Sequence, residues 1–429
     1  MSDLAILGGE PVRRSPFSRW PQHTDADLSR VRSVLESGNW GGYPFPNTLA
    51  DEFARKFADY HGAKYGCCVT NGTHALVVAL QAAGLQFGDE AIVPAYTWDG
   101  TAAAVLFAGG VPVFADIDPD TYCLDLDSTR RAISPRTRAI VPVHLAMRFT
   151  DMDALLDLAC ERDLLVIEDC AHAHGGRYKG RGAGSMGDLG CFSFQSSKLM
   201  TAGEGGIVIT SRLDCFEAAQ SLVNCGRASA TDQFKRRLAG SNYRITEFQA
   251  ALLLGQLEQA PRLAEKRARH AERLTHCLSQ IDGICPLPPQ PAITREAIYN
   301  YVFRYHDGRV SRDLFVAALD REGIPCDGRF YEPVYRSDLF QVNVKDFPQL
   351  AAGYGPFDCP VSERAAYEES VWLPQFLLIG EKQDVEDIAR AVAKVVSHLD
   401  ELRDSDPGLA GVKSLSRADR PHIEKERNY

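Results

Sequence analysis

One lysine, Lys198, lies in the stretch "FSFQSSKLMTAGEGG" (residues 192–206), among small and polar side chains and just before the apolar run "IVIT". A lone lysine is ordinarily a solvated surface residue. One chemistry asks instead for a partly desolvated lysine at such a place: a Schiff base with an aldehyde cofactor. That chemistry needs further parts. A carboxylate must keep a pyridine nitrogen protonated so that the ring can take up electrons. A helix N-terminus with glycine and hydroxyls must hold a phosphate. An aromatic ring should cover one face of the cofactor.

Each part has a candidate. Asp169 ends the run "LLVIED", where a buried carboxylate is costly without a cationic partner. "TNGTHAL" (70–76) puts Gly72 and Thr73 where a strand turns into a helix. "PAYTWDGT" (94–101) supplies Trp98 as a stacking ring, and Ser193 offers a second hydroxyl to the phosphate. Singly, each has a plain alternative: a helix cap, a packing ring, an ion pair. Together and in order, each at the carboxyl end of a strand candidate, they point to one cofactor site. His172 and His174 have an HxH spacing, but no further ligand cluster with metal spacing accompanies them, so no metal is expected.

These residues need a scaffold, and the chain patterns one. Continuous apolar runs at 65–70, 91–94, 111–117, 139–145, 164–170, 189–194 and 206–210 alternate with helical patterns such as 73–84 and 152–163. Runs of this kind suit a parallel sheet covered on both faces, in an α/β domain whose ligands bind beyond the carboxyl ends of the strands. A helix pattern at 245–278 follows, then a proline-rich stretch at 284–291. Beyond it, an alternating strand at 299–305 and helices at 311–323 and 382–404 suggest a smaller α+β domain. The expected division is an N-terminal arm (1–45), a large cofactor-binding α/β domain (46–265), a small C-terminal α+β domain (266–404) and a disordered tail (405–429).

Composition is that of a globular protein, 45% hydrophobic and 24% charged, with a net charge of −10 that offers nucleic acid and anionic membranes no general attraction. No apolar run reaches the length of a membrane span, and the N-terminus lacks the apolar core of a signal peptide. The 12 scattered cysteines, with no CxxC pair, read as reduced thiols of a cytoplasmic protein.

The stretches "VTNGTHAL", "VPAYTWDGTAAAV", "EDCAHAHGG", "GDLGCFSFQSSKLMTAGEGG" and "GSNYRITEFQAALL" resemble the DegT/DnrJ/EryC1/StrS aminotransferases, over about residues 5 to 400. The segments "SLVNCGR" (221–227) and "IPCDGRFYEPVYRSDLF" (324–340) look closest to the L-glutamine:scyllo-inosose and 2-deoxy-scyllo-inosose branch. The resemblance implies fold type I, pyridoxal 5'-phosphate, and transfer of the amino group of L-glutamine to a keto-cyclitol in aminoglycoside biosynthesis. It makes Lys198 the Schiff-base lysine and Asp169 the partner of the ring nitrogen. His172 would contact the ring. Gly72, Thr73 and Ser193 would bind phosphate, and Trp98 would stack. Asn242 would reach the phosphate of a neighbouring subunit, which implies a homodimer with shared sites. Tyr331, with Glu332 and Arg329, would line the acceptor pocket. The donor carboxylate needs an arginine, and Arg148, Arg227, Arg244 and Arg329 are the candidates. Met147, Arg148 and Phe149 are bulkier than the pattern at that place and are expected to alter the pocket. Two rival readings stay open: a nucleotide-keto-sugar aminotransferase of the same family, and a lyase resembling aminohydroxybenzoate synthase.

Overall fold

The computed structural model describes residues 3–42, 45–227, 238–340, 342–343, 345–350 and 354–405. The expected tail lies, apart from Ser405, outside the described residues.

All seven expected runs become the central sheet. Its strands are β1 (Tyr65–Val69), β2 (Glu90–Pro94), β3 (Val111–Ala115), β4 (Thr137–Ile140) and β5 (Leu165–Asp169); after a small hairpin, β6 (Arg177–Tyr178) and β7 (Arg181–Gly182), come β8 (Leu189–Ser193) and β9 (Gly206–Thr210). The order across the sheet is β1-β9-β8-β5-β4-β2-β3. Alternate residues of one strand feed different cores: Ile207 and Ile209 pack into one cluster, Val208 into the other. Both faces are therefore covered, which is why the runs are apolar throughout.

The sheet is mostly parallel, as expected, with one strand reversed. β9 runs antiparallel to both β1 and β8. Apolarity records burial and not strand direction. The short loop from Ser193 to Gly206 has no crossover helix, and a return over such a loop is antiparallel. The run at 139–145 also stops early as a strand. Pro142 has no N–H to continue the ladder, although its carbonyl still accepts the Asp169 N–H at 2.8 Å.

The helix Gly72–Ala82 starts where Asn71 accepts the His74 N–H at 2.8 Å. The helix Glu247–Leu278 opens with a capping box of Thr246 and Gln249. Its first half packs against the sheet through Ala250, Leu253 and Leu254, and its second half enters the C-terminal core through Ala271, Leu274 and Leu278. This one helix spans the boundary expected near residue 265. The C-terminal core also holds a sheet ordered β10-β12-β13, from β10 (Ile284–Pro286), β12 (Asn300–Tyr305) and β13 (Ser370–Pro374), while β11 (Ile293–Arg295) pairs with the hairpin. β12 is nearly all buried rather than half-exposed as its alternation suggests, because it is the middle strand of three. The expected helix at 382–404 breaks at His398 into Lys382–Ser397 and Leu399–Asp404.

The N-terminal arm is docked. Ala5 and Val12 N–H groups each donate to the fully buried Glu322 carboxylate at 2.9 Å, and Lys394 pairs with it at 2.8 Å. Arg13 bridges Asp384 and Asp387 at 2.8 and 2.9 Å.

Candidate active site

A cleft of about 830 Å³ opens at the carboxyl ends of β1, β2, β5 and β8. It gathers Gly72, Thr73, Trp98, Asp169, His172, Ser193, Lys198, Arg329 and Tyr331 from segments far apart in the chain. Nine expected site residues thus share one wall system.

Asp169 is 6% exposed at the end of β5. Its carboxylate accepts from the Thr101 hydroxyl at 2.9 Å and the Ala171 N–H at 3.1 Å. Among the described residues it has no ion-pair partner. Burial pushes its carboxyl up from the ordinary value, while the Ala171 N–H, Thr101 and Lys198 pull it back. A bound cation at its free side would offset the burial.

Lys198 is half-buried, with Nζ 4.5 Å from the centre of the Tyr299 ring. The Tyr299 ring also stacks on His172, centroids 4.0 Å apart, and its hydroxyl meets Ser197 Oγ at 2.7 Å. His172 Nδ1 accepts the Ala146 N–H at 3.2 Å, so its proton sits on Nε2, which faces the Tyr331 hydroxyl at 3.2 Å. Burial, then Lys198 and His174, hold His172 well below its ordinary pKa. It is a neutral imidazole that fixes Tyr331 and carries no charge of its own.

The phosphate cradle is shaped by what it excludes. A Cβ on Gly72 would lie 2.6 Å from Ser193 Cβ and 3.1 Å from Ser193 Oγ. Only glycine lets the helix N-terminus approach that hydroxyl, leaving N–H groups and the Thr73 and Ser193 oxygens around one small space. Such donors suit a dianion. With Lys198 and Asp169 in the same cleft, the donor set fits pyridoxal phosphate: Gly72, Thr73 and Ser193 are the residues that would hold a phosphate, Asp169 the one that would face a ring nitrogen and Lys198 the one that would meet an aldehyde.

Other expected residues lie elsewhere. Arg148 is buried beneath the site and donates to the Met147 and Leu287 carbonyls at 3.2 and 2.9 Å. Met147 and Phe149 pack into the cores, so this bulky triplet fills the interior rather than the pocket. Glu332 does not line the cleft. Arg244 does not line the cleft either. Its guanidinium and that of Arg227 both hold Asn224 Oδ1, at 2.7 and 3.2 Å, beside the exposed Asn242. The two histidines have protein partners: His172 as above, and His174 Nε2 at the Ser193 carbonyl, 2.9 Å away. Among the described residues one buried group, His144, Glu168 and Cys170, has metal-like spacing. Glu168 there accepts from His144 at 2.9 Å and from three backbone N–H groups, at Gly184, Met186 and Gly187.

Thr101 and Tyr299 were invisible to the sequence reading. Thr101 follows Trp98 by one helical turn and carries no other local signal. Tyr299 comes from beyond the long helix, and no local pattern marks it.

The model of the DegT/DnrJ/EryC1/StrS aminotransferase family matches residues 21–393. A protein of Streptoalloteichus tenebrarius, with the provisional name L-glutamine:3-amino-2,3-dideoxy-scyllo-inosose aminotransferase, is 47% identical over 414 residues, covering 94% of this chain and 100% of its own. The L-glutamine:scyllo-inosose aminotransferase of Streptomyces griseus is 37% identical over 422 residues, covering 94% of this chain and 99% of its own. The crystal structure of a 3-amino-5-hydroxybenzoic acid synthase superposes with a TM-score of 0.80 at 33% identity, covering 90% of this chain and 100% of its own.

Proposed function

The chain belongs to the DegT/DnrJ/EryC1/StrS aminotransferase family, and from that premise we propose that it moves the amino group of L-glutamine to the ketone of a cyclitol. One observation carries the chemistry: Lys198, the cation-free Asp169 and the Gly72–Thr73–Ser193 cradle line a single cleft. The names of the relatives support the substrates, and the 47%-identical one favours an acceptor that already bears an amine.

When bound, pyridoxal phosphate supplies the electron sink for the pair released at the donor α-carbon. Asp169 would hold the ring nitrogen protonated, and Lys198 Nζ would be the base that takes the proton from the donor α-carbon and the acid that delivers a proton to the cofactor side. His172 stays neutral and positions the Tyr331 hydroxyl toward the substrate space. Thr101 holds the Asp169 carboxylate in line.

The nucleotide-sugar reading needs cations for a diphosphate. Within one subunit the cleft offers Lys198 and Arg329, and Arg329 already pairs with Asp313 at 3.2 Å. We read the enzyme as a cytoplasmic homodimer, with Asn242 and Arg244 serving a neighbour's cleft. Their position outside their own cleft supports this. Mass spectrometry of products from glutamine with keto-cyclitols and with keto-nucleotide sugars tests the acceptor. Amine incorporated only into nucleotide sugars would overturn it.

A further inference from the structure

Three consecutive residues of the lysine loop, Ser197, Lys198 and Leu199, meet one side chain from the other half of the chain, Tyr299. Ser197 Oγ meets the Tyr299 hydroxyl at 2.7 Å, and Lys198 Nζ stands 4.5 Å from the centre of its ring. Leu199 packs with Tyr299 and Ala297 in one small buried cluster. Tyr299 is itself held on a rigid mount. It is 4% exposed and immediately precedes β12. Its N–H donates to the Ala146 carbonyl at 2.9 Å, and its carbonyl accepts the Gln375 N–H at 3.2 Å. Its ring stacks on His172, centroids 4.0 Å apart, and the Ala146 N–H donates to that same histidine at 3.2 Å. Tyr299 lines the cleft beside Lys198. Its ring is thus fixed by the body of the protein, and the flexible lysine side chain lies over it.

A lysine amine sits on a flexible four-carbon stem and, left to itself, samples many positions. An aromatic face attracts an ammonium through the ring quadrupole and attracts a neutral amine far less. Taking a proton from carbon turns the amine into the ammonium. Positive charge therefore grows on the nitrogen as the transition state is reached, and a ring already in place stabilises it without having to move. Resting on the reading of Lys198 as the base, we infer that Tyr299 is a positioning residue whose ring keeps Lys198 Nζ in one place in the cleft and stabilises the charge it gains on taking the donor's α-proton. In that step the Cα–H bond breaks, an N–H bond forms on Nζ, and the electron pair goes to the cofactor, so no further reactant enters. The Ser197 contact sets the orientation of the ring, and the ring acts on the lysine.

Tyr299→Phe keeps the ring and removes the hydroxyl; Tyr299→Leu removes both. The glutamine half-reaction of the cofactor-loaded enzymes, followed in single turnovers by the cofactor absorbance, gives a limiting rate and a half-saturating glutamine concentration. Losing the ring in Tyr299→Leu should lower the limiting rate roughly 2- to 30-fold, the scale of one cation–π contact. It should enlarge the isotope effect with α-deuterated glutamine and leave the half-saturating concentration largely as it was. Tyr299→Phe should recover most of the rate. A second readout needs no cofactor. With lysine labelled at Cε for carbon NMR, the Lys198 resonance is identified by its absence from Lys198→Ala. It should carry a ring-current shift that survives in Tyr299→Phe and vanishes in Tyr299→Leu. A wild-type limiting rate in Tyr299→Leu overturns the inference, as does a rise in the half-saturating concentration alone. So does a Tyr299→Phe enzyme as slow as Tyr299→Leu, which would give the effect to the hydroxyl, and so does an unshifted Lys198 resonance in wild type. Should Tyr299→Leu fail to fold, Tyr299→Met is read by the same measurements. If borohydride reduction places the adduct on another lysine, the Lys198 reading itself has failed; if Lys198 carries it and the half-reaction ignores the ring, only this inference has.

Discussion

Asp169→Asn should make the cofactor-free protein more stable and the cofactor-bound enzyme less so. The carboxylate is buried, lacks a cationic partner among the described residues, and accepts from Thr101 and the Ala171 N–H. An amide keeps both contacts: its oxygen accepts from Ala171, and its NH2 donates to a Thr101 hydroxyl that has turned. The substitution therefore removes charge and little else. An effective burial cost of several kcal/mol is only partly offset by the two hydrogen bonds to the charged group, and the raised pKa shows that a net burden remains, on the order of 1 kcal/mol. The sign in pH follows. Burial raises the Asp169 pKa in the folded protein. Between the ordinary and the raised value the folded state binds more protons than the unfolded one, so this stability term falls as pH rises and is fully lost above the raised value. The variant's advantage should be complete above the raised value and should close as pH falls through it toward the ordinary carboxylate range. Thermal melts of both proteins, without and with pyridoxal phosphate, read this directly. The cofactor should stabilise wild type more, its affinity for the variant should fall at least about tenfold, or ~1.4 kcal/mol, and turnover should fall roughly 100- to 1000-fold, the scale for losing one preorganised electrostatic group. A cofactor-free variant that melts below wild type at neutral pH, or an equal cofactor-induced shift in both, would refute the reasoning.

Lys198→Ala should abolish both turnover and the absorbance band that borohydride removes from wild type; peptide mapping that finds the reduced adduct on another lysine sinks the assignment. Mixing inactive Lys198→Ala with inactive Asn242→Asp subunits should restore activity, because one site of a mixed dimer then carries neither lesion. No recovery on mixing means that each subunit completes its own site. Glu322→Ala should lower folding stability by about 3 kcal/mol, since it takes the counter-charge from Lys394, which keeps only the Glu10 carbonyl, and strands two N-terminal N–H groups; a denaturant midpoint equal to that of wild type would show that the arm does not depend on this clasp.

What the sequence determined by itself is local. Seven continuous apolar runs could only be buried strands, and chemistry-bearing residues at their carboxyl ends could be recognised because the end of a strand and the start of a helix are set by neighbours in the chain. Gly72, Thr73, Asp169, Ser193 and Lys198 were legible for that reason. The rest depends on which distant segment arrives at a given point. β9 reads like its neighbours yet runs the other way, because burial does not encode direction. Arg148 looked like a pocket cation, but it is buried and its two terminal nitrogens donate to carbonyls in the interior. Thr101 and Tyr299 make their contacts with Asp169 and Lys198 only when β5 and the loop holding Lys198 converge on the cleft. Hydrogen bonds and ring contacts act over a few ångströms, and the tertiary fold alone decides which residues come that close.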